Sequence, residues 1–588
     1  MGLNHSHQMN HRLIYSRPGR LGLLAAAAIA AMIWSAAPGA AKPLIESPKK
    51  AVPASPLGSY LAGRHAQYAR DPDAAIAFFR STLKTFTGNR AIMRRVAELL
   101  ITEGRIDEAL AFTQSLTNAS GEASNLAKLL GALEDLRGGR LSKAETALAA
   151  LPKTGLNLFT RPLIRAWILA ELKRYKEAEA EIDTSGENKA FMALFGVHSA
   201  LINALKGDNA RADAQFKAAI ARHKAAIARR RSPNLRLTQL YGNFLERAGR
   251  AGEARALYNT YMKAQPSSTM LTSAFRRLDE GGKPAPIIRS ASDGAAEALF
   301  SLAVSVRQQN ARQTLILVRL AVRMKPHFTL ARLLIAETLE SQERHEAAIQ
   351  VYRQIAKDPA YAWTARLRIA DNFDTLDKAD DAVQELRAMA RADKTRHDAL
   401  VRLGDILRRR KRYREASRAY ADAKARIPLL QRQHWSLLYT AGIANERIKN
   451  WKVAEADFLK ALELSPGQPF VLNYLGYSWV ENGKNLDRAR KMIETAVEKR
   501  PRDGYIVDSL GWVLYRLGDI DGAVKHLERA VLLRPEDPTI NDHLGDVYWK
   551  VGRRNEARFQ WERALTLEPE PDQIGKIKKK LRDGLKDG

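Results

Sequence analysis

Cysteine is absent from the whole chain of 588 residues. Its absence excludes disulfides, zinc–thiolate and iron–sulfur sites, thiol nucleophiles and lipidation at a cysteine. A glycine-rich phosphate loop, a nucleophile elbow and a metal-binding helix motif are missing too. The stretch "HEAAI" at 345–349 starts like a metalloprotease helix but lacks the second histidine. No cofactor, metal or catalytic residue is therefore expected, and the chain does not read as an enzyme. Acidic residues are outnumbered: 65 stand against 95 lysines and arginines, for a formal net charge of +30. That balance points to anionic surroundings or partners and says nothing of the fold.

Apolar residues at 45% and charged residues at 27% suit a folded protein. The length exceeds one ordinary core, so several domains or one elongated array is expected. Residues 1–41 read as a signal peptide or an N-terminal membrane anchor. Arg12, Arg17 and Arg20 precede an uncharged run from Leu21 to Ala41, and Gly39-Ala40-Ala41 offers small residues for cleavage. The expectation is a chain exported across, or anchored in, a bacterial inner membrane and facing the periplasm. Residues 42–56, rich in Pro, Lys and Ser, form a linker.

From there a repeat takes over. Small residues recur at Gly63, Ala97, Ala132, Ala166, Ala200 and Gly242, then, past a less regular Leu302, at Ala336, Ala370, Gly404, Gly442, Gly476, Gly511 and Gly545. Steps are 34 or 35 residues, except for 42 before Gly242, 60 before Leu302 and 38 before Gly442. Twelve residues after most markers stands an alanine, from Ala75 to Ala557, and four further on a large residue such as Phe79, Tyr258, Tyr420, Phe458 or Trp561. The Leu302 repeat, with Thr314 in place of the alanine, is the least regular. Prolines such as Pro501, Pro535 and Pro569 close repeats, because proline cannot continue a helix. Each unit is thus two amphipathic helices, A and B, which close-packed small residues bring together. One unit cannot bury its apolar face alone, but a stack can.

This pattern resembles the tetratricopeptide repeat family. The match is best in the last copies, as at Leu544, Gly545, Tyr548, Ala557, Trp561, Ala564 and Pro569. The resemblance implies an all-α fold, a right-handed superhelical solenoid of about fourteen helix-turn-helix repeats. The expected organisation is an N-terminal degenerate block at 57–266, a linker or extra helix at 267–294, a C-terminal block at 295–570 and a basic capping helix at 571–588. In that cap Ile574, Ile577, Leu581 and Leu585 recur at three- and four-residue spacing, with Lys576, Lys578, Lys579, Lys580 and Arg582 between them, as a solvating helix.

Family geometry implies that helix A lines the concave groove through positions 2, 5, 9 and 12 of each repeat. Candidate partner-binding residues are Asn473 and Tyr477, then Tyr505, Asp508, Trp512 and Tyr515, then Asp542, Asp546 and Trp549. Such aromatics and carboxylates would favour an extended peptide with Lys, Arg or amide donors. The expected function is a non-enzymatic protein–protein scaffold of the bacterial cell envelope, its protein or peptide partner unidentified. A second expectation is an envelope-assembly or polysaccharide-secretion component touching anionic polymer or lipid through basic clusters. These lie at 222–231, 576–582 and a surface cluster of Arg408, Arg409, Arg410, Lys411, Arg412 and Arg414. Nucleic acid is disfavoured by the export segment.

Overall fold

The computed structural model describes residues 55–120, 125–155, 157–185, 192–226, 233–266 and 268–585. Residues 1–41, expected to be a signal peptide or membrane anchor, and residues 227–231 of the first basic cluster lie outside them. Among the described residues every regular element is helical, and none is long and apolar enough to cross a membrane.

The chain divides into two compact units between Asp377 and Lys378. Unit 1 begins with six helix pairs: α1 (Pro56–Tyr68) and α2 (Pro72–Thr85); α3 (Arg90–Thr102) and α4 (Ile106–Ser120); α5 (Asn125–Arg137) and α6 (Leu141–Ala149); α7 (Asn157–Glu171) and α8 (Tyr175–Ser185); α9 (Met192–Lys206) and α10 (Asn209–Ala226); α11 (Leu235–Arg247) and α12 (Ala251–Ala264). A short α13 (Thr272–Asp279) follows inside 267–294. Then come α14 (Ala291–Val306) and α15 (Ala311–Met324), α16 (Thr329–Ser341) and α17 (His345–Ile355), and α18 (Pro359–Thr375). Unit 2 holds α19 (Ala379–Ala392), then α20 (Asp398–Arg409) and α21 (Tyr413–Ala425), α22 (Trp435–Arg447) and α23 (Trp451–Leu464), α24 (Pro469–Glu481) and α25 (Leu486–Lys499), α26 (Gly504–Arg516) and α27 (Ile520–Leu533), α28 (Pro538–Lys550) and α29 (Arg554–Thr566), and finally α30 (Pro571–Asp583).

The repeat skeleton has a simple steric basis. A Cβ built at Gly63, Gly404, Gly442, Gly511 or Gly545 would come within 3.0 Å of Phe79, Tyr420, Phe458, Leu527 or Trp561, the large residue sixteen positions later. In these repeats the A and B helices therefore touch through a glycine that no other residue can replace without displacing a large buried side chain. Seven residues after each marker, in every repeat except the seventh, the backbone turns left-handed: Arg70, Gly104 and Lys173 do so, as do Glu343, Lys411 and Gly552. That single residue ends helix A and reverses the chain.

A further regularity escaped the sequence reading. Arginine at marker plus eight stands at the start of helix B and links consecutive repeats through its side chain. Arg105 binds Glu108 and, on the preceding B helix, Asp73, at 2.6 and 2.7 Å. Arg174 joins Glu177 and Glu145, Arg250 joins Glu253 and Asp213, and Arg553 joins Glu556 and Glu528.

Unit 1 carries the largest departure from a uniform array. Its helices α14 and α15, the irregular seventh repeat, lie against the A helices of earlier repeats: α14 packs on α7 and meets α5 and α9, and α15 packs on α3. Positions 5, 9 and 12 of the third and fourth repeats are accordingly core, namely Leu129, Leu133, Leu136, Leu163, Trp167 and Ala170. Gly294 of α14 sits on the face of Trp167, with no room for a side chain. Trp167 Nε1 donates to His198 Nδ1 at 3.1 Å, and burial pushes the His198 pKa down to about 4. Glu171 accepts the backbone N–H of Ala291. The buried Glu297 is held by Arg236.

Candidate functional site

With the inner face of the third and fourth repeats of unit 1 filled by the chain's own helices, the corresponding face of unit 2 carries the candidate site. On α24, Phe470, Asn473 and Tyr477 are half-buried, and so on α26 are Tyr505, Trp512 and Tyr515. Position 12 of α24, Val480, is fully packed. Trp512 and Tyr515 lie side by side, with ring centres 5.2 Å apart. Trp512 also stacks on His543 of α28 at 4.1 Å, and its Nε1 donates to Glu481 at 2.8 Å. Arg516 shares Glu481 at 2.9 Å. The Oδ1 atom of Asn473 is buried and accepts no hydrogen bond. Arginines stack over two of the rings, Arg500 over Phe470 at 4.4 Å and Arg534 over Tyr505 at 5.3 Å.

The three expected groove aspartates are not presented to a ligand. Asp508 is buried and contacts His543 Nδ1 at 3.0 Å. Asp542 and Asp546 are buried under α30, where Lys580 donates to both, at 2.8 and 2.7 Å. Trp561 Nε1 donates to Asp546 at 2.9 Å. Lys580 is thus turned inward, against the expectation of a wholly solvated cap. The reason is electrostatic: a buried carboxylate pair needs a cation, and α30 supplies one. Trp549 is also part of the packing, 5.4 Å from Trp561 and in close contact with Gly584.

These groups shift one another. Burial pushes the Asp546 carboxyl up, partly opposed by Lys580. Burial disfavours the charged form of both His543 and Lys580. Asp508 more than offsets it for His543, and Asp546 with Asp542 for Lys580, so both pKa values are raised.

The basic run at 408–414 is not the free surface cluster expected. Arg408 is buried, 3.4 Å from the Tyr420 hydroxyl. Lys411 is the left-handed turn residue of its repeat and pairs with Glu570 at 3.1 Å. Arg412 is the inter-repeat arginine, bound to Glu415 and Asp380 at 2.7 and 2.8 Å. Arg409 and Arg410 are half-buried, and Arg414 is exposed. Of the run, Arg412 alone stands at the arginine position that the repeat uses. Its sequence signal, arginine eight residues after the marker, recurs along the chain. Among the described residues no acidic or histidine cluster could hold a metal.

Comparison with known proteins agrees with this architecture. Residues 66–133 and 317–362 match models described as tetratricopeptide repeat, and 511–552 matches a model described as TPR repeat. A TPR repeat-containing protein of Pseudomonas aeruginosa is 32% identical over 85 residues, which is 14% of this chain and 14% of that protein. A tetratricopeptide repeat protein from Parabacteroides merdae aligns with 43% of this chain and 99% of its own, at 14% identity and a TM-score of 0.37. Yeast Tom70 aligns with 90% of this chain and 95% of its own, at 14% identity and a TM-score of 0.32. The three matched stretches fall at both ends and in the middle of the same helix-pair skeleton, and the chain is a tetratricopeptide-repeat protein.

Proposed function

We propose that this chain is a non-enzymatic adaptor of the bacterial cell envelope, and that it binds a partner protein on the A-helix face of unit 2. Tetratricopeptide arrays are protein-interaction scaffolds, and in such arrays the inner face is a surface whose residues can vary without disturbing the skeleton. The observation that carries the proposal is a contrast within the molecule. Positions buried by the chain's own helices in the third and fourth repeats of unit 1 are half-exposed aromatics in unit 2: Tyr477, Trp512 and Tyr515. Rings of this kind give much contact area for little loss of side-chain freedom. The envelope assignment rests on the uncharged run Leu21–Ala41 behind three arginines.

The test is a pulldown from envelope extract with the full chain, wild type and Tyr477→Ala/Trp512→Ala, both checked for native helix content. A partner retained by the wild type and lost by the variant is expected. Equal recovery from both would remove this face as the binding surface.

A further inference from the structure

The molecule already holds helices on its A-helix faces, and they share a chemistry. In unit 1 the occupant is the α14–α15 pair. It offers small and apolar residues inward, with Gly294 against Trp167 and Leu302 fully buried. Its flank offers arginines to carboxylates on α3, α4 and α5. Arg323 reaches Asp107 and Glu134 at 2.7 and 2.8 Å, and Arg312 approaches Glu98 at 3.8 Å. In unit 2 the last repeat is covered by α30, which buries Ile577 and sets Lys580 between Asp542 and Asp546. Of these occupants α15 and α30 are amphipathic helices with a basic edge, while α14 is apolar nearly all round.

We infer that the uncovered part of the unit 2 face, across α22, α24 and α26, takes a basic amphipathic helix of a partner protein. The inference rests on the reading of this face as the partner-binding surface. Three observations support it. The face continues directly from the seat of α30, because Trp512 stacks on His543 of the covered repeat. Glu446 and Glu481 stand in the last turns of α22 and α24, as Glu103 caps α3 in unit 1, and their side chains are 33% and 39% exposed. Besides Tyr474 and Trp512, which donate to them, these carboxylates pair with the exposed Arg447 and Arg516, and an exposed ion pair of this kind exchanges for an incoming lysine or arginine at little cost. Neighbouring packed helices lie roughly 8–10 Å apart. An apolar stripe at i and i+7 of a helix spans about 10 Å, so it can meet one aromatic on α24 and one on α26. The net charge of +30 gives a basic segment no long-range help; the attraction is local, to the carboxylates of this face.

The test uses three labelled synthetic peptides titrated into the full chain by fluorescence anisotropy. The first has the sequence of residues 571–585, a basic helix known to fit an A-helix face of this protein. The second carries glutamate at each of its lysines and arginines. The third replaces Lys578 by proline, which breaks the helix. The first peptide is expected to bind, at least tenfold more tightly than the other two. Its binding should fall at least tenfold in Trp512→Ala, in Tyr477→Ala on the neighbouring helix, and in Glu481→Lys. Tighter binding of the acidic or broken peptide, still sensitive to Trp512→Ala, overturns the basic helix while keeping the face. Binding that ignores all three substitutions overturns both. Failure of every peptide to bind overturns the basic helix and leaves the pulldown to decide the face.

Discussion

Units 1 and 2 are built on one skeleton and differ in what covers their inner faces. In unit 1 Leu133, Trp167 and Ala170 are as buried as any core residue, because α14 and α15 lie over them. In unit 2 the equivalent rings of α24 and α26 stay half-exposed, and only the last repeat is covered, by α30. The lesson is that the A-helix face of this solenoid is a seat, and that its occupant is a choice made by sequence outside the repeat pattern. A filled seat makes a structural body, and an open one leaves a surface for another molecule.

The comparison is broken most severely by removing the ring on which the seat of unit 1 is built. Trp167→Ala deletes a buried indole and its hydrogen bond to His198, and should cost unit 1 about 4 kcal/mol. Hydrogen exchange followed by mass spectrometry should show lost protection across α7, α14 and α15, with unit 2 unchanged; equal loss in both units would mean they do not unfold separately. Next in size is Lys580→Met. It leaves Asp542 and Asp546 buried without their cation and should lower the stability of unit 2 by about 3 kcal/mol in urea unfolding. Adding Asp546→Asn should return part of the loss. A denaturation midpoint that does not move would show that α30 is not bound through this lysine.

A smaller effect concerns pH. His543 has its pKa raised in the folded chain, so its contribution is complete below the unfolded value of about 6.5 and disappears as pH rises through the folded value. Unit 2 should therefore be less stable at pH 9 than at pH 6 through this group. Thermal unfolding of His543→Gln should show a flatter dependence; an unchanged slope would assign it elsewhere. The smallest expected effect belongs to the inter-repeat arginines. Arg553→Ala removes exposed ion pairs to Glu528 and Glu556 and should change stability by less than about 1 kcal/mol. A larger loss would mean that these links act as a network along the stack.

Much of the fold was legible because its causes are local. A glycine that meets a ring sixteen residues on, a left-handed turn residue and a closing proline all leave marks at fixed spacing. The seventh repeat was visible only as an irregularity, with Leu302 and Thr314 at marker places. Its role as occupant is set by partners such as Thr102 and Arg319, more than two hundred residues apart, which no local pattern encodes. One sign was present: α14 is apolar nearly all round, which is what a helix buried on every side requires. The aromatics of the open face were read correctly as helix-A residues. The aspartates were misjudged, since the neutralising Lys580 lies 34 and 38 residues beyond them. The division between Asp377 and Lys378 falls inside the ninth repeat, where composition shows no break.

The covered seat also imposes an order on synthesis. The apolar A-helix residues of α5 and α7 leave the ribosome complete by Glu171, yet their cover ends at Met324. At 5–20 residues per second that interval is on the order of ten seconds. For that time a nascent chain shows Leu133, Trp167 and their neighbours to solvent with nothing to lie on them. Unit 1 is consequently the part of this protein whose yield should depend on chaperones and on translation speed, whatever its final stability.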